Sequence, residues 1–350
     1  MAIVLLIVGI SLLILIHEMG HFFAAKYFGL LVEEFGIGFP PRLFKIKKGE
    51  TVYSINLLPF GGFVRIHGEK KPEKDKEENK ERSFWYLPIW KRSTIIVAGV
   101  AMNFILGWVL ISTMFIVGAP TKVIVADVLD NTPAAAAGIM AGDRILELGN
   151  GEAFYAINEV KQLIGLVNDS KGKEISLKLL RGDEEMVINN IVPRIEPPEK
   201  EGALGIALSE LGIKKHGIFA GIWNGLISSF NIIGAIFTAL ANLILGIFTG
   251  GAVLENFVGP VGIFQIAGQA AEFGLIFIIQ LIALISLNLA VLNIIPIPAL
   301  DGGRLLFLII EKIKGSPVSG NKEMWAHAVG FIVLILLMVV ITARDIINLF

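Results

Sequence analysis

Long uninterrupted apolar runs dominate this chain, rather than the alternation of a half-buried strand or the single stripe of a surface helix. Four of them reach the roughly 20 residues that a helix needs to cross a bilayer. They run from Ala2 to Ala25, from about Thr94 to Val117, from about Leu275 to Ile295 and, after Trp325 and His327, from about Val329 or a little earlier to Thr342. With their flanks they define spans at 1–26, 93–118, 274–303 and 326–344. The pattern shortens between the first two spans. There 27–92 holds a basic, partly β-prone stretch, with Thr51 to Leu58 and then Phe60 to Ile66 as strand candidates. The charge-dense run Lys70 to Arg82 follows and predicts an exposed loop. Between the second and third spans the period changes again. Val123-Ile124-Val125 and Ile175 to Leu179 predict strands, Asn158 to Leu166 a helix, and Gly138 to Leu146 a turn feeding a strand. This predicts a separate α+β domain over 119–196.

The first span is interrupted in an informative way. Met1 to Ile16 carry no charge, and then His17-Glu18-Met19-Gly20-His21 appears before more apolar residues and Lys26. Positions four apart share a helix face, so His17 and His21 can address one metal ion. Glu18 stands beside that face, where a carboxylate can act as general base toward water. Ionisable groups at membrane depth are costly, and their default reading is functional. The alternative, a cleaved signal peptide ending near Ala24-Ala25, lacks a basic leading segment and would place the charged motif where the apolar core should finish.

Composition narrows the class. The 350 residues are 54% hydrophobic and 17% charged, with mean hydropathy +0.72, which indicates a polytopic membrane protein. The net charge of −1 gives no sign of a nucleic-acid partner. With no cysteine, any metal must be held by histidine and carboxylate.

Two histidines leave a catalytic zinc site short of its usual third protein ligand. Asp301 is the acidic residue close to the end of the third span, in Asn293-Ile294-Ile295-Pro296-Ile297-Pro298-Ala299-Leu300-Asp301-Gly302-Gly303. Pro296 and Pro298 break the helix, and Gly302 and Gly303 permit a tight turn or a close backbone approach. Asp301 could instead cap a helix over 304–313. His327 is the rival ligand. His67 and His216 are expected to be solvated.

A fifth apolar stretch, Ile218 to Thr249, is long enough to span. A single crossing there would bring the end of the third span to the wrong face for Asp301 to meet His17 and His21. It is therefore expected to lie at the interface or to re-enter, within a 197–273 region preceding the third span. Lys26, Lys91, Arg92, Arg304, Lys312 and Lys314, set against Lys122, Lys214 and Lys215 on the other side, favour metal-bearing ends on the cytoplasmic side and the 119–196 domain outside, with 304–325 as a cytoplasmic loop.

An intramembrane His-Glu-x-x-His paired with Asn-x-x-Pro-x-Pro-x-Leu-Asp-Gly resembles the site-2 protease family of intramembrane zinc metalloproteases. Within that family the chain is similar to the bacterial branch that includes the regulator of sigma-E protease. Phe60 to Glu69 matches the family's membrane-associated β-loop, Thr121 to Pro193 is similar to its PDZ domain, and Gly259 to Ile263 matches the segment before the third span. There is room for one PDZ domain, where some members carry two. The resemblance implies a fold of about four transmembrane helices, an inserted membrane-associated β-hairpin and one extracytoplasmic PDZ domain, in a bacterial inner membrane. It also implies Zn2+ on His17, His21 and Asp301, with Glu18 as base and later acid. Asn293 would hydrogen-bond an unwound substrate backbone, or else pack the third span. Gly61, Gly62, Phe63, Val64, Arg65 and Ile66 would hold substrate by strand addition, or else support the fold. The implied substrates are single-span membrane proteins already cut outside the membrane, such as anti-sigma factors and remnant signal peptides. Two other functions stay open: a metal-binding transporter or sensor, and a membrane-anchored PDZ scaffold. Glu18 separates them from a hydrolase, since neither needs a base beside the metal.

Overall fold

The structure, a computed structural model, describes residues 2–69, 79–151, 153–182, 184–198, 201–249 and 258–347. The chain divides into two compact units, one of residues 1–113 with 219–350 and one of residues 114–218. Most of the run from Lys70 to Arg82 lies outside the described residues.

The first unit is built on long apolar helices. These are α1 (Ala2–Tyr27), α2 (Ile89–Val117, whose last residues enter the second unit), α5 (Ile218–Thr249), α7 (Leu275–Ile294) and α9 (Gly320–Ile347). All five contain a stretch long and apolar enough to cross a membrane. α2 begins at Ile89 and α9 at Gly320, each several residues before the start expected from hydropathy, because a helix continues through its polar interfacial turn. Residues 218–249 form one continuous helix with no internal reversal, so a chain turning back inside this segment is not what is observed. Two shorter helices, α6 (Pro260–Phe273) and α8 (Asp301–Lys314), flank α7.

β1 (Val32–Lys48) and β2 (Thr51–Ile66) form an antiparallel hairpin between α1 and α2. Its register is broken, so that residues 34–37 have partners on both sides: 62–65 along one edge and 52–55 along the other. Gly62 to Ile66 is therefore an outer strand, paired only with β1 among the described residues.

The second unit contains a six-stranded antiparallel sheet in the order β7-β6-β4-β3-β8, with β5 also paired to β4. The strands are β3 (Ala119–Val128), β4 (Arg144–Gly149), β5 (Phe154–Ala156), β6 (Ile175–Arg181), β7 (Glu184–Ile191) and β8 (Ile206–Ile213). Alternation in β6 points Ile175, Leu177 and Leu179 inward. They pack with Val123, Val125, Ile145 and Leu148, and with Leu163 and Val167 on α4 (Val160–Asp169). Burying each such side chain contributes about 1.5–3 kcal/mol. A short helix, α3 (Pro133–Ala136), starts on Thr132, whose hydroxyl accepts from the Ala135 amide. β8 lies beyond the expected 119–196 boundary. It joins the sheet by pairing with β3, so part of the 197–273 region belongs to this unit.

Candidate metal centre and active site

The centre is assembled where three helices meet in the first unit. α1 supplies His17 and His21, one turn apart, with imidazole planes nearly perpendicular and centroids 4.8 Å apart. α7 ends at Ile294, because Ile295 precedes a proline and is pushed to an extended conformation. The loop 295–300 then delivers Asp301 as the first residue of α8. Asp301 does not cap that helix; Leu300 occupies the cap position and no side chain caps it. The loop can fold back this tightly because of the glycines after Asp301. A Cβ on Gly302 would sit 2.0 Å from the Ile295 carbonyl oxygen, and one on Gly303 2.5 Å from that of Ile297. Close approach to their own loop is thus the reason for both.

The geometry converges on one point. Asp301 Oδ2 lies 3.0 Å from His17 Nε2 and 3.3 Å from His21 Nε2, and the two Nε2 atoms are 3.2 Å apart. His21 Nδ1 donates to the Ile95 carbonyl at 2.9 Å, which fixes the proton on Nδ1 and leaves the Nε2 lone pair free. Asp301 Oδ2 is buried and accepts no hydrogen bond among the described residues. Two imidazole nitrogens and a carboxylate oxygen closing on one position fit a cation. Two histidines and one carboxylate suit zinc with one coordination position left open. These three residues form the metal-competent cluster found among the described residues.

Glu18 stands on the flank of this cluster, half-buried, against the outer strand of the hairpin. A Cβ on Gly62 would lie 3.7 Å from Glu18 Cγ, and the backbone of Val64 interacts with the Glu18 carboxylate. The outer strand also holds Gly61 (φ 98°), which faces Ile14 and Phe39. Phe63 covers Gly36, Arg65 reaches the buried Glu34 at 3.5 Å, and Ile66 is buried. Asn293, on the last turn of α7, is half-buried. The other histidines are elsewhere engaged. His67 Nδ1 meets Glu33 Oε1 at 2.8 Å, His216 lies in the second unit with Nδ1 on the Lys214 carbonyl, and His327 Nδ1 accepts from the Ala299 amide.

Sequence reasoning missed what α2 contributes. Gly20 and Gly99 bring α1 and α2 into backbone contact: a Cβ on Gly20 would lie 2.3 Å from the Ala98 oxygen, and one on Gly99 2.5 Å from His21 Nε2. Small residues at such a crossing are the usual means of close helix approach in a bilayer. Small residues spaced to match the motif helix were the available signal, but their partner face shows only after packing.

Fold and site together define a multi-pass membrane protein carrying a metal-dependent peptidase centre on its helices. The chain belongs to peptidase family M50, whose family model matches residues 5–337. It is similar to the regulator of sigma-W protease RasP of Bacillus subtilis (strain 168), 32% identical over 97% of this chain and 96% of that protein. It is likewise similar to the zinc metalloprotease RasP of Shouchella clausii, 32% identical over 97% of each chain. The zinc metalloprotease RasP of Geobacillus kaustophilus is 29% identical over 99% of this chain and 97% of that protein. The family expected from the two motifs is thus the family found.

Proposed function

We propose that this protein is an intramembrane zinc metalloprotease that cuts within the transmembrane segments of single-span proteins already trimmed outside the membrane. The observation that carries this reading is the convergence of His17, His21 and Asp301 on one point with Glu18 beside it. Zinc held by those three residues would supply Lewis acidity to the scissile carbonyl and to the attacking water. Glu18 accepts the proton that the water loses as it attacks, and returns it to the departing amide nitrogen. A carboxylate in this position has no part in transport or sensing, so it favours hydrolysis over a metal-binding transporter.

A helical substrate hides its peptide bonds and must be unwound before attack. The outer strand Gly61 to Ile66 can take the unwound segment by strand addition, and it passes beside Glu18. Asn293 would hold the substrate backbone from the α7 side. Residues 119–213 are read as a single PDZ domain outside the membrane that filters substrates by size or reads the new chain end. Anti-sigma factors and remnant signal peptides are the proposed substrates, and the similarity to a regulator of sigma-W protease in Bacillus subtilis supports a link to sigma regulation.

Topology follows from parity. Asp301, a short loop beyond the end of α7, meets His17 and His21 near the end of α1, so α1 and α7 are read as running in the same sense. The region 218–273 must then return to the side it left. α6, of 14 residues, is about 21 Å long and too short to span by itself. We therefore read four net crossings, with α5 interfacial or followed by a return, in a bacterial cytoplasmic membrane with the active site toward the cytoplasm.

The test is cleavage of a co-expressed single-span reporter by wild type and Glu18→Gln, with zinc content measured on both. Retained zinc with lost cleavage supports the proposal. Equal cleavage by Glu18→Gln, or a zinc-loaded wild type that cuts no trimmed substrate, rejects it.

A further inference from the structure

His21 is oriented by the Ile95 carbonyl of α2. Asn103, eight residues or about 2.2 turns further along the same helix, stands in the corresponding place for His17. Asn103 is 1% exposed. Its Nδ2 lies 3.3 Å from His17 Nδ1, and its Oδ1 is buried with no hydrogen-bond partner among the described residues. The Ser286 hydroxyl of α7 donates to the Asn103 backbone carbonyl at 2.7 Å, which fixes the residue without using its side chain.

With Nδ2 turned to His17, Nδ1 must accept, and the imidazole carries its proton on Nε2. That proton would point at Asp301 Oδ2 and His21 Nε2, and His17 could not be a ligand. A half-turn of the carboxamide exchanges oxygen and nitrogen without moving any carbon. It gives the orphaned Oδ1 a donor and moves the imidazole proton to Nδ1.

We propose that Asn103 is a positioning residue for the metal centre, its side-chain oxygen accepting from His17 Nδ1–H and so holding His17 in the tautomer that presents Nε2. Partners of this kind fix the ring and raise the basicity of the ligating nitrogen. α2 then serves both histidines, with Ile95 for one and Asn103 for the other, and Gly99 between them leaves room for the rings. The inference rests on the zinc reading above.

The experiment uses the full-length protein in detergent. It measures zinc retention against a chelator and the absorption spectrum of the cobalt(II)-loaded form for wild type, Asn103→Leu, Asn103→Asp and Ser286→Ala. Asn103→Leu is expected to weaken zinc retention by about 10–100-fold and to change the cobalt spectrum. Asn103→Asp keeps an acceptor in place and restores retention, and Ser286→Ala, which leaves the amide intact, stays near wild type. The proposal is overturned if Asn103→Leu stays within about threefold of wild type, well short of the usual loss of such a partner. It is equally overturned if Asn103→Asp or Ser286→Ala falls as far as Asn103→Leu. A wild type that binds no zinc overturns this inference and the zinc reading together, whereas an unaffected Asn103→Leu overturns this inference alone.

Discussion

The Ala299 amide donates to His327 Nδ1 at 2.8 Å, so the last helix grips the loop that delivers Asp301. Ala299 sits at φ 84°, a conformation that a residue with a Cβ adopts only under constraint. Three residues further along α9, Gly330 closes on the same loop, where a Cβ would lie 2.3 Å from the Pro298 oxygen. His327, considered as a rival ligand on sequence grounds, thus holds the backbone two residues before Asp301.

Replacing His327 by Leu should leave the Ala299 amide without its acceptor. A part-buried donor left unpaired costs about 1–3 kcal/mol. The variant should melt at lower temperature and release zinc faster, because the strained loop relaxes and carries Asp301 with it. Unchanged zinc release would show that the loop holds its shape without α9.

Gly99→Ala should damage the centre more directly. The added methyl would lie 2.5 Å from His21 Nε2 and 2.9 Å from His17 Cε1, and neither imidazole can yield without leaving its place. Overpacking of this kind costs about 1–3 kcal/mol. Here the strain falls on the two imidazoles proposed as zinc ligands, so zinc content should drop more than the melting temperature does. Gly165→Ala meets no atom within 4 Å and serves as the control. A zinc-replete Gly99→Ala would mean that the helices separate to admit the methyl.

What could be read from the sequence follows from contrast. His17, Glu18 and His21 stand out because lipid penalises them, and Asp301 because prolines and glycines surround it. Gly99, Asn103 and Ile95 are ordinary residues of an apolar span, and their role exists only once that face of α2 lies against α1. The first half of the hairpin escaped notice because Pro40 and Pro41 interrupt it and because residues 34–37 find partners on both sides, which no local period encodes. β8 was missed for a related reason: it pairs with β3, some eighty residues earlier in the chain, with the rest of the sheet between. The long helices were plain from hydropathy, but their number did not settle which of them cross.

Arg92 and Glu311 tie α2 to α8 through two contacts, Nη1 to Oε2 at 3.1 Å and Nη2 to Oε1 at 2.5 Å. Arg92 is 5% exposed, so it has little water to fall back on. Removing one partner of a buried pair costs about 3–5 kcal/mol, whereas replacing both by apolar residues can be neutral. Arg92→Met and Glu311→Leu should each lower the melting temperature strongly, and the double variant should recover most of the loss. Additive losses would show that the two side chains act independently.

The second unit should lose stability in acid through one ion pair. Burial alone would raise the Asp143 carboxyl. The Arg181 hydrogen bonds and the Met140 amide outweigh it and hold the group below its ordinary value of 3.8. Arg181 Nε and Nη2 reach Oδ1 and Oδ2 at 2.8 and 2.7 Å, and the Met140 amide donates to Oδ2 at 2.9 Å. Because the folded carboxyl titrates below the unfolded one, the stabilisation is fully present above the unfolded pKa and fades as pH falls through the folded value. Amide protection in β4 and β6, corrected for intrinsic exchange, should therefore weaken below about pH 4. Arg181→Met should lower protection already at neutral pH, by about 1–3 kcal/mol for a buried acceptor stripped of its donors, and flatten the acid dependence. An acid profile that survives Arg181→Met unchanged would assign the loss to another carboxylate.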